Sequence, residues 1–412
     1  MTDLPRPVCV VEAELGGPPP VVPGRAGDGR PYERALVALR VHGTFVGAVE
    51  LPAAPASDLA DRAASELSAE VGRHLAGDAH EDCRAARTRT LAQAPRASVV
   101  VASRDGERTL GECLDSLLAL DYPDFEVIVV DNASRGDGVH AVASSRGERV
   151  RYVREDRPGL AVAHNAGLRH AVGEIVAFTD DDVIADRLWL AQLAGAFSIS
   201  AEVACVTGMI LPAELESPAQ LWVDGWGFGK GFERRVFDGR RRADRPLHPY
   251  TAGAFGSGAN MAFRTHALRD MGGFDPALGT GSPALGGDDL AAFFEVLEAG
   301  HQLIYEPSAV VFHHHRPDYD SLRRQAYCYG VGLTAYLTKA LADEPRRALE
   351  VARRMPAALA HVLSPASPKN VRRPEGFPPE LIRLERRGML VGAFAYARSR
   401  RASRATTAAG AP

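Results

Sequence analysis

Uninterrupted apolar runs alternate with amphipathic stretches through the middle of the chain. The apolar runs predict strands covered on both faces, because such strands have no solvent-facing side to carry polar residues; they lie at 97–102, 125–130, 150–153, 174–178 and 204–207. The stretches with apolar residues at helical spacing predict helices at 110–120, 159–171 and 186–197. This alternation predicts an α/β fold with a mostly parallel sheet, whose ligands bind beyond the carboxyl ends of the strands.

The regions on either side have different patterns. In the first, two apolar runs around Gly43-Thr44 predict a β-hairpin, and apolar spacing over 58–75 predicts a helix before a polar linker at 77–94. In the last, helical spacing over 321–341 and 345–363 is followed by a proline-rich break. We therefore expect four parts: a small α+β module at 1–92, an α/β domain at 96–316, a helical extension at 317–397 and an Arg/Ser/Ala-rich, disordered tail at 398–412.

Composition narrows the class of protein. With 46% hydrophobic and 24% charged residues in 412, the chain has the make-up of a folded, non-membrane protein. Its five cysteines are scattered without a CxxC pair, which argues against a disulfide framework and against a zinc site and fits a reducing cytosol. Neither a signal-peptide pattern nor an apolar window of about 20 residues is evident, so we expect a cytoplasmic protein.

Charge is distributed unevenly along the chain. Residues 97–316 carry 20 basic and 31 acidic side chains, a net −11, whereas residues 317–412 carry a net +9. An acidic middle region does not suit nucleic-acid binding but suits a site for a divalent cation. The basic C-terminal region could lie against anionic lipid at the inner face of the membrane, against a polyanionic acceptor, or against the acidic middle region itself.

Three adjacent carboxylates, Asp180, Asp181 and Asp182, follow the predicted strand at 174–178. Such groups repel one another unless a cation lies among them, and Mn²⁺ or Mg²⁺ held with a diphosphate would relieve that repulsion. The metal would also act as a Lewis acid on a departing nucleotide diphosphate. The alternative is a helix cap with an acidic first turn before the helix at 186–197.

Other polar residues follow neighbouring strands. Asp131 ends the strand at 125–130, where it could accept hydrogen bonds from a base or ribose or simply form an Asx-turn. Ser103 and Arg104 follow the first strand of the α/β region in a short polar turn. No GxGxxG or GxxxxGK[ST] pattern follows that strand, which argues against a dinucleotide dehydrogenase and a P-loop enzyme.

Taken in order, these motifs resemble the family 2 inverting glycosyltransferases of GT-A fold. The matching stretches are 98–103, 113–117, 125–134, 159–168, 173–183, 258–264 and 286–290. The resemblance covers roughly residues 96–316, and the first module resembles an extension seen on some bacterial members. It implies a GT-A nucleotide-binding sheet with crossover helices, flanked by the N-terminal α+β module and the helical C-terminal region.

The resemblance also implies roles on the donor side. Ser103, Arg104 and Asp131 would line the nucleoside pocket, and Asn165 would lie in the helix that closes the donor site. His164 stands where such enzymes often carry Arg, which changes the charge expected beside the nucleotide. Within the acidic run, Asp180 would contact ribose or metal, Asp182 would be the principal metal ligand, and Asp181 would belong to the donor site.

On the catalytic side, Asp288 and Asp289 match the acidic pair that supplies the general base. An inverting transfer needs one carboxylate to take the proton of the acceptor hydroxyl, and a neighbouring carboxylate raises its pKa; we expect Asp289 to be the base and Asp288 to support it. The pair could instead cap the helix that starts at residue 290. His313 and His315 are the expected imidazole ligands of the metal, and Arg316 would pair with phosphate.

Aromatic residues in a Gly-rich segment are candidates for contact with the acceptor. Trp222, Trp226 and Phe228 could stack on sugar C–H faces as part of a lid, or could pack as an ordinary long loop. Asn260, within the stretch 258–264, completes the acceptor-side candidates.

The sequence therefore predicts a metal-dependent inverting transfer of a sugar from a nucleotide-diphosphate donor to an acceptor hydroxyl. The acceptor would be a glycan, glycolipid or small molecule, in bacterial polysaccharide, glycolipid or natural-product glycoside synthesis. Two alternatives remain: a sugar nucleotidyltransferase, and a catalytically inactive carbohydrate-binding relative. The first would need a longer Gly-rich basic loop after its first strand, and the second is disfavoured by acidic groups at both 180–182 and 288–289.

Overall fold

The protein was analysed as a computed structural model, which describes residues 5–78, 83–226, 230–240, 245–371, 373–374 and 376–409. The described strands are β1 Val8–Glu14, β2 Arg34–Val41, β3 Thr44–Pro52, β4 Ala97–Ser103, β5 Phe125–Asn132, β6 Val150–Glu155, β7 Ile175–Asp180, β8 Val183–Ala185, β9 Val203–Pro212, β10 Arg235–Phe237, β11 Met261–Arg264 and β12 Gln302–His313. The described α-helices are α1 Ala56–Glu66, α2 Ser68–Asp78, α3 Cys83–Ala92, α4 Glu107–Leu118, α5 Gly138–Ser144, α6 Leu160–His170, α7 Trp189–Phe197, α8 Pro218–Asp224, α9 Thr265–Asp270, α10 Asp288–Glu298, α11 Tyr319–Asp343, α12 Arg347–Leu363, α13 Pro368–Val371 and α14 Pro379–Ala409.

A nine-stranded mixed sheet dominates the molecule. Its order is β10-β12-β9-β11-β7-β4-β5-β6, with β8 paired to β12. Strands β7, β4, β5 and β6 are parallel to one another, as the alternating pattern predicts, because helices cross over between them. Strand β11 runs antiparallel between β7 and β9, a feature that the sequence pattern did not reveal. The predicted α/β class and the helical C-terminal region are confirmed, and the sheet is mixed rather than mostly parallel.

The two faces of this sheet are covered by separate sets of apolar side chains. Helices α4 and α7 pack Leu110, Leu114, Trp189 and Leu193 against one face. Helices α6 and α10 lie on the other face, where Phe178, Phe263, Phe274 and Phe293 form an aromatic cluster with edge contacts. Burial on both faces explains why the central strands read as continuous apolar runs.

The register of the parallel strands brings the predicted polar residues to one edge. Ser103 at the end of β4 lies opposite Asp131 of β5, and Ala102 lies opposite Asp180 of β7. On the far side, His313 at the end of β12 pairs with Val183 of β8. The carboxyl ends of four strands therefore surround one cleft.

The N-terminal module is a three-stranded sheet with helices on one side. The predicted hairpin is β2 and β3, and β1 adds a parallel strand beside β2. The module is joined to the larger sheet by an ion pair of 2.6 Å between Arg40 and the buried Asp186. Its Phe45 ring also contacts Phe312 of β12 at 5.9 Å between ring centroids. The module thus packs directly behind the strand that ends in His313.

The C-terminal helices α11 and α14 pack through glycines. A Cβ added at Gly330 would collide with the carbonyl oxygen of Glu385, and one at Gly388 with that of Tyr327, so the two backbones touch. On another side, α11 approaches the loop before α10: a Cβ added at Gly332 would lie 2.9 Å from the carbonyl carbon of Gly286. The C-terminal region therefore supports the start of α10.

Two local expectations were wrong. The polar stretch 77–94, predicted as a linker, contains helix α3, which packs against α7. Residues 398–409 of the tail predicted to be disordered continue helix α14, because Ala and Arg are strong helix formers even where no apolar face is needed. None of the helices in the described ranges is long and apolar enough to cross a membrane.

Candidate active site

The acidic run at the end of β7 divides into three environments. The Asp181 carboxylate accepts a hydrogen bond from the Ser103 hydroxyl, and burial raises its pKa to about 6 even though Ser103 lowers it. Burial raises the pKa of Asp180 well above its usual range, and Asp182, Asp181, Asp288 and Asp289 raise it further. Because all four of these carboxylates raise the pKa of Asp180, a cation would be bound favourably beside it.

Asp180, Asp182 and His313 offer three ligand atoms that all lie within 4.8 Å of one another. His313 Nε2 is 3.3 Å from Asp182 Oδ1, and that oxygen is buried without a hydrogen-bond partner among the described residues. Burial lowers the pKa of His313 to about 4, although Asp182 opposes this, so the imidazole is neutral and able to act as a ligand. Two carboxylates and one imidazole fit Mn²⁺ or a similar divalent cation.

The three consecutive histidines point in different directions. His313 and His315 face one another, with 3.1 Å between their Nδ1 atoms. His315 is buried and its Nε2 lies 3.6 Å from an Asp224 oxygen, whereas His314 Nε2 faces Glu112 at 3.2 Å on the outer side. The structure thus places His313 beside the acidic run and His315 behind it, in contact with the other imidazole.

Asp288 and Asp289 begin helix α10 on the opposite side of the cleft. Asp289 accepts hydrogen bonds from the backbone N–H groups of Gly258 (3.0 Å) and Leu290 (2.8 Å) and remains half-buried. Asp288 is only 4% exposed, so an acceptor can reach Asp289 but not Asp288. Burial and the neighbouring Asp288 raise the pKa of Asp289 to about 6. This is the environment that a general base working near neutral pH requires.

His164 does not lie on the nucleotide side of the cleft. Its ring is buried between Phe178 and Phe274, with centroid distances of 5.0 and 4.9 Å, and its Nδ1 lies 3.5 Å from Asp288 Oδ2. The prediction that His164 contacts the donor is therefore corrected: His164 lies in the second turn of α6, on the side that faces the start of α10, and its imidazole neighbours Asp288 instead.

Asp131, predicted to line a nucleoside pocket, lies at the end of β5 at the edge of the cleft. Its carboxylate accepts hydrogen bonds from the Ser134 backbone (3.1 Å), the Tyr152 hydroxyl (2.7 Å) and Arg154 (2.9 Å). Burial raises the pKa of Asp131, but these hydrogen bonds outweigh that effect and hold it below its usual range. A carboxylate accepts about four hydrogen bonds, so one remains for a base. Arg104 is exposed nearby, on the loop that faces Gly281.

Two predicted asparagines have structural partners instead. The Asn165 side chain donates a hydrogen bond to the Phe274 carbonyl at 2.7 Å and accepts one from the Phe274 N–H at 2.8 Å. These two bonds connect α6 to the loop before α10. Asn260 is completely buried; it accepts from the Trp189 indole and donates to the Met209 and Ala309 carbonyls, each at 2.8 Å. The acceptor role predicted for Asn260 is wrong, because its side chain is used within the sheet.

The aromatic residues predicted to contact the acceptor lie in different environments. Trp222 is 8% exposed and packs against Tyr319, so it belongs to the core between α8, α11 and α14. Trp226 is half-buried and contacts Tyr329 at 5.7 Å and Phe377 at 5.3 Å. Phe228 lies outside the described residues. Of these two tryptophans, only Trp226 is therefore partly exposed.

Tyr329 and Arg316 complete the cleft. Burial raises the pKa of the Tyr329 hydroxyl, and Asp289 and Asp180 raise it further, which places this ring beside the carboxylates. The Gln325 amide donates to that hydroxyl at 2.6 Å. Arg316 is exposed, and its charge lowers the pKa of Asp181. Arg316 is thus close enough to the acidic run to act on the charge of Asp181, and its contact with a phosphate stays a prediction.

Some residues of the cleft carried little signal in the sequence. Tyr152 and Arg154 are two residues apart on the edge strand β6, so their side chains point to the same face of the sheet. This spacing is the only sign in the sequence that both contact Asp131 of the neighbouring strand β5. Tyr329 stands in the helical stretch after the family motifs, where its aromatic neighbours gave only a weak indication.

Comparison with known proteins shows what the middle of the chain resembles. Residues 98–271 match the family described as glycosyl transferase family 2. That segment runs from β4 to β11, and so contains the parallel strands β4 to β7 and the acidic run but not Asp289 or His313. Over this segment the chain is similar to family 2 glycosyltransferases, in agreement with the resemblance of its motifs.

Individual relatives share this domain but not their full length. A pre-mycofactocin glycosyltransferase of Mycobacterium tuberculosis is 31% identical over 173 residues, which are 42% of this chain and 33% of that protein. A glucosyl-dolichyl phosphate glucuronosyltransferase of Haloferax volcanii is 24% identical over 57% of this chain and 75% of the relative. The chain thus spans about a third of the length of the first of these relatives. A mannosyltransferase from Pyrobaculum calidifontis, solved with GDP-Man and Mn²⁺, is 21% identical over 77% of each chain with a TM-score of 0.45.

Proposed function

We propose that this protein is an inverting glycosyltransferase that moves a sugar from a nucleotide-diphosphate donor to an acceptor hydroxyl and depends on a divalent metal. One observation carries this proposal: Asp180 of the metal group lies close enough to Asp288 and Asp289 for these carboxylates to raise its pKa. A metal group and a general base at the same cleft are the two elements that such a transfer requires.

The donor side can be assigned residue by residue. Asp180, Asp182 and His313 would hold Mn²⁺ or Mg²⁺, which when bound supplies a Lewis acid for the diphosphate. Arg316 supports the phosphate charge, and Asp131 with Tyr152 and Arg154 forms the floor of the nucleoside pocket. Ser103 holds Asp181 in place, since the Ser103 hydroxyl donates to the Asp181 carboxylate.

The catalytic step uses Asp289. Its carboxylate takes the proton from the acceptor hydroxyl while the hydroxyl oxygen forms a bond to the anomeric carbon and the bond to the nucleotide diphosphate breaks on the opposite face. Asp289 is oriented by the N–H groups of Gly258 and Leu290, and Asp288, hidden behind it, raises its basicity. Trp226 and Tyr329 would provide apolar faces for the acceptor.

A panel of UDP-, GDP- and dTDP-sugars tests the proposal. We expect release of nucleoside diphosphate from one donor class with Mn²⁺ or Mg²⁺, loss of this release in Asp182→Asn, and no change in Asp121→Asn, an exposed carboxylate away from the cleft. Product anomeric configuration, measured by NMR, tests inversion. Pyrophosphate release from a nucleoside triphosphate and a sugar phosphate would instead identify a nucleotidyltransferase, and donor binding without turnover would identify an inactive relative.

We also propose that the acceptor or donor is met at a membrane surface. Met355, Leu359 and Leu363 form an exposed stripe at i, i+4, i+8 on α12, with 45%, 51% and 52% exposure. The region around it carries a net +9. Vesicle sedimentation with anionic and neutral lipid tests this: binding that needs anionic lipid, falls with salt and is lost in Leu359→Glu is expected. Equal sedimentation with neutral vesicles, or none, would refute it.

A further inference from the structure

A second group of metal-type ligands lies in the N-terminal module, away from the cleft. His42 in the turn between β2 and β3, His74 in α2 and Cys83 at the start of α3 bring three ligand atoms within 4.8 Å of one another. The two rings are 5.8 Å apart between centroids. All three side chains are half-buried. Their sequence positions give no metal-site spacing, which is why the scattered cysteines argued against zinc.

The distance between two of the three ligand atoms matches zinc coordination. Cys83 Sγ lies 3.5 Å from His42 Nδ1. For Zn–S of about 2.3 Å and Zn–N of about 2.0–2.1 Å, two ligands at the tetrahedral angle are about 3.6 Å apart. The donor set contains one thiolate-forming sulfur and two imidazole nitrogens, which favour zinc over Mn²⁺ or Mg²⁺, since the latter prefer oxygen ligands.

We propose that His42, His74 and Cys83 form a zinc site that joins the hairpin turn to helices α2 and α3. A cross-link at this position has a mechanical consequence. Helix α3 packs on α7 of the larger sheet, and Arg87 of α3 donates to the His42 carbonyl at 3.4 Å. Zinc would therefore fix α3 between the module and the catalytic domain. The site is separate from the Asp180, Asp182 and His313 group and holds whether or not the proposed glycosyl transfer is correct.

Cobalt substitution distinguishes this site from the acidic cleft. Purified full-length protein is stripped with a chelator and titrated with Co²⁺. A tetrahedral site with Cys83 gives a thiolate-to-cobalt charge-transfer band, which oxygen ligands in the cleft cannot give. We expect this band in the wild type, in Cys328→Ser and in Asp182→Asn, and its loss in Cys83→Ser. Absence of the band in the wild type, or its survival in Cys83→Ser, would overturn the proposal.

Protection of Cys83 from alkylation gives a second test, which can be made on the wild-type chain. In the wild-type chain, about one equivalent of zinc should slow alkylation of Cys83, mapped by mass spectrometry, and leave Cys328 unchanged. His74→Gln should weaken zinc affinity by more than about 100-fold, because even residues that only support a ligand cost 10–100-fold. Equal alkylation of Cys83 with and without zinc contradicts the assignment, as does full zinc affinity in His74→Gln.

Discussion

Replacing Asp289 by asparagine tests the catalytic assignment most directly, because the change preserves shape and removes the base. Asp289 accepts backbone hydrogen bonds from Gly258 at 3.0 Å and Leu290 at 2.8 Å. An amide retains one acceptor oxygen and turns an NH₂ group towards the other N–H. We therefore expect a loss of about 1–3 kcal/mol in the free energy of unfolding, which leaves the protein folded.

The rate should fall much further than the stability. A positioned general base contributes about 10²–10⁴ in rate, equivalent to about 3–5 kcal/mol of activation free energy. The loss should appear in kcat, while the KM for the donor and the calorimetric affinity for the nucleotide stay within about twofold, since Asp289 contacts the acceptor hydroxyl and not the donor.

The assay is the release of nucleoside diphosphate with saturating donor and acceptor, alongside thermal unfolding. Glu298→Gln is the matched control: it makes the same chemical change at the other end of α10, where Glu298 forms a surface ion pair with Arg347 at 2.5 Å. This control should change kcat by less than about twofold. A turnover of Asp289→Asn within about tenfold of the wild type would remove Asp289 from the role of base, and a loss found only in donor KM would assign it to binding.

Four further outcomes are expected. The rate should rise with pH through an apparent pKa near 6, the raised value of Asp289, and Asp288→Asn should move this limb to lower pH; an unmoved limb would show that the pair is not coupled. Without metal, the free energy of unfolding should fall as pH rises from about 4 to about 6. In this range Asp181 and Asp289 hold more protons in the folded than in the unfolded chain, because their pKa values in the fold are about 6. Mn²⁺ should reduce this loss of stability in thermal melts. Gly106→Ala should weaken donor affinity in calorimetry, because its Cβ would collide with the Asp181 carboxylate; unchanged affinity would mean that Asp181 lies outside the donor site. Asn260→Ala should cost more than about 3 kcal/mol in urea unfolding, because three hydrogen-bond partners lose their buried amide; a stable variant with altered acceptor KM would restore its acceptor role.

Local sequence pattern was sufficient for the parallel half of the sheet and for the acidic run. Each buried strand there is a continuous apolar stretch, and Asp180 to Asp182 follow one directly. The contact between Asp182 and His313 could not be predicted in the same way. It depends on the antiparallel pairing of β12 with β8, and a three-residue strand is too short to show any periodicity.

Buried polar residues were the main source of error at the site. Asn260 stands in a motif and is polar, so it was placed in the cleft, but the sheet uses its amide to bond two carbonyls. The resemblance puts His164 at the nucleotide, at a position where such enzymes often carry Arg, but in the fold its ring lies beside Asp288. Polarity in a motif shows that a side chain has a partner. Only the fold shows whether that partner is a ligand or the protein itself.

The close approach of Gly332 on α11 to Gly286 sets the boundary of the smallest active fragment. Residues 98–271 contain the acids of the donor side, but Asp289 and His313 come later in the chain. The turn before Asp289 packs against α11. Helix α11 in turn packs against α14, where Gly330 of α11 and Gly388 of α14 allow the two backbones to touch. On the proposed assignment, a fragment or a chimera joined at residue 271 would therefore keep Asp180 and Asp182 but lose both His313 of the metal group and Asp289, the proposed base. A productive exchange between relatives has to carry the two C-terminal helices along with the sheet.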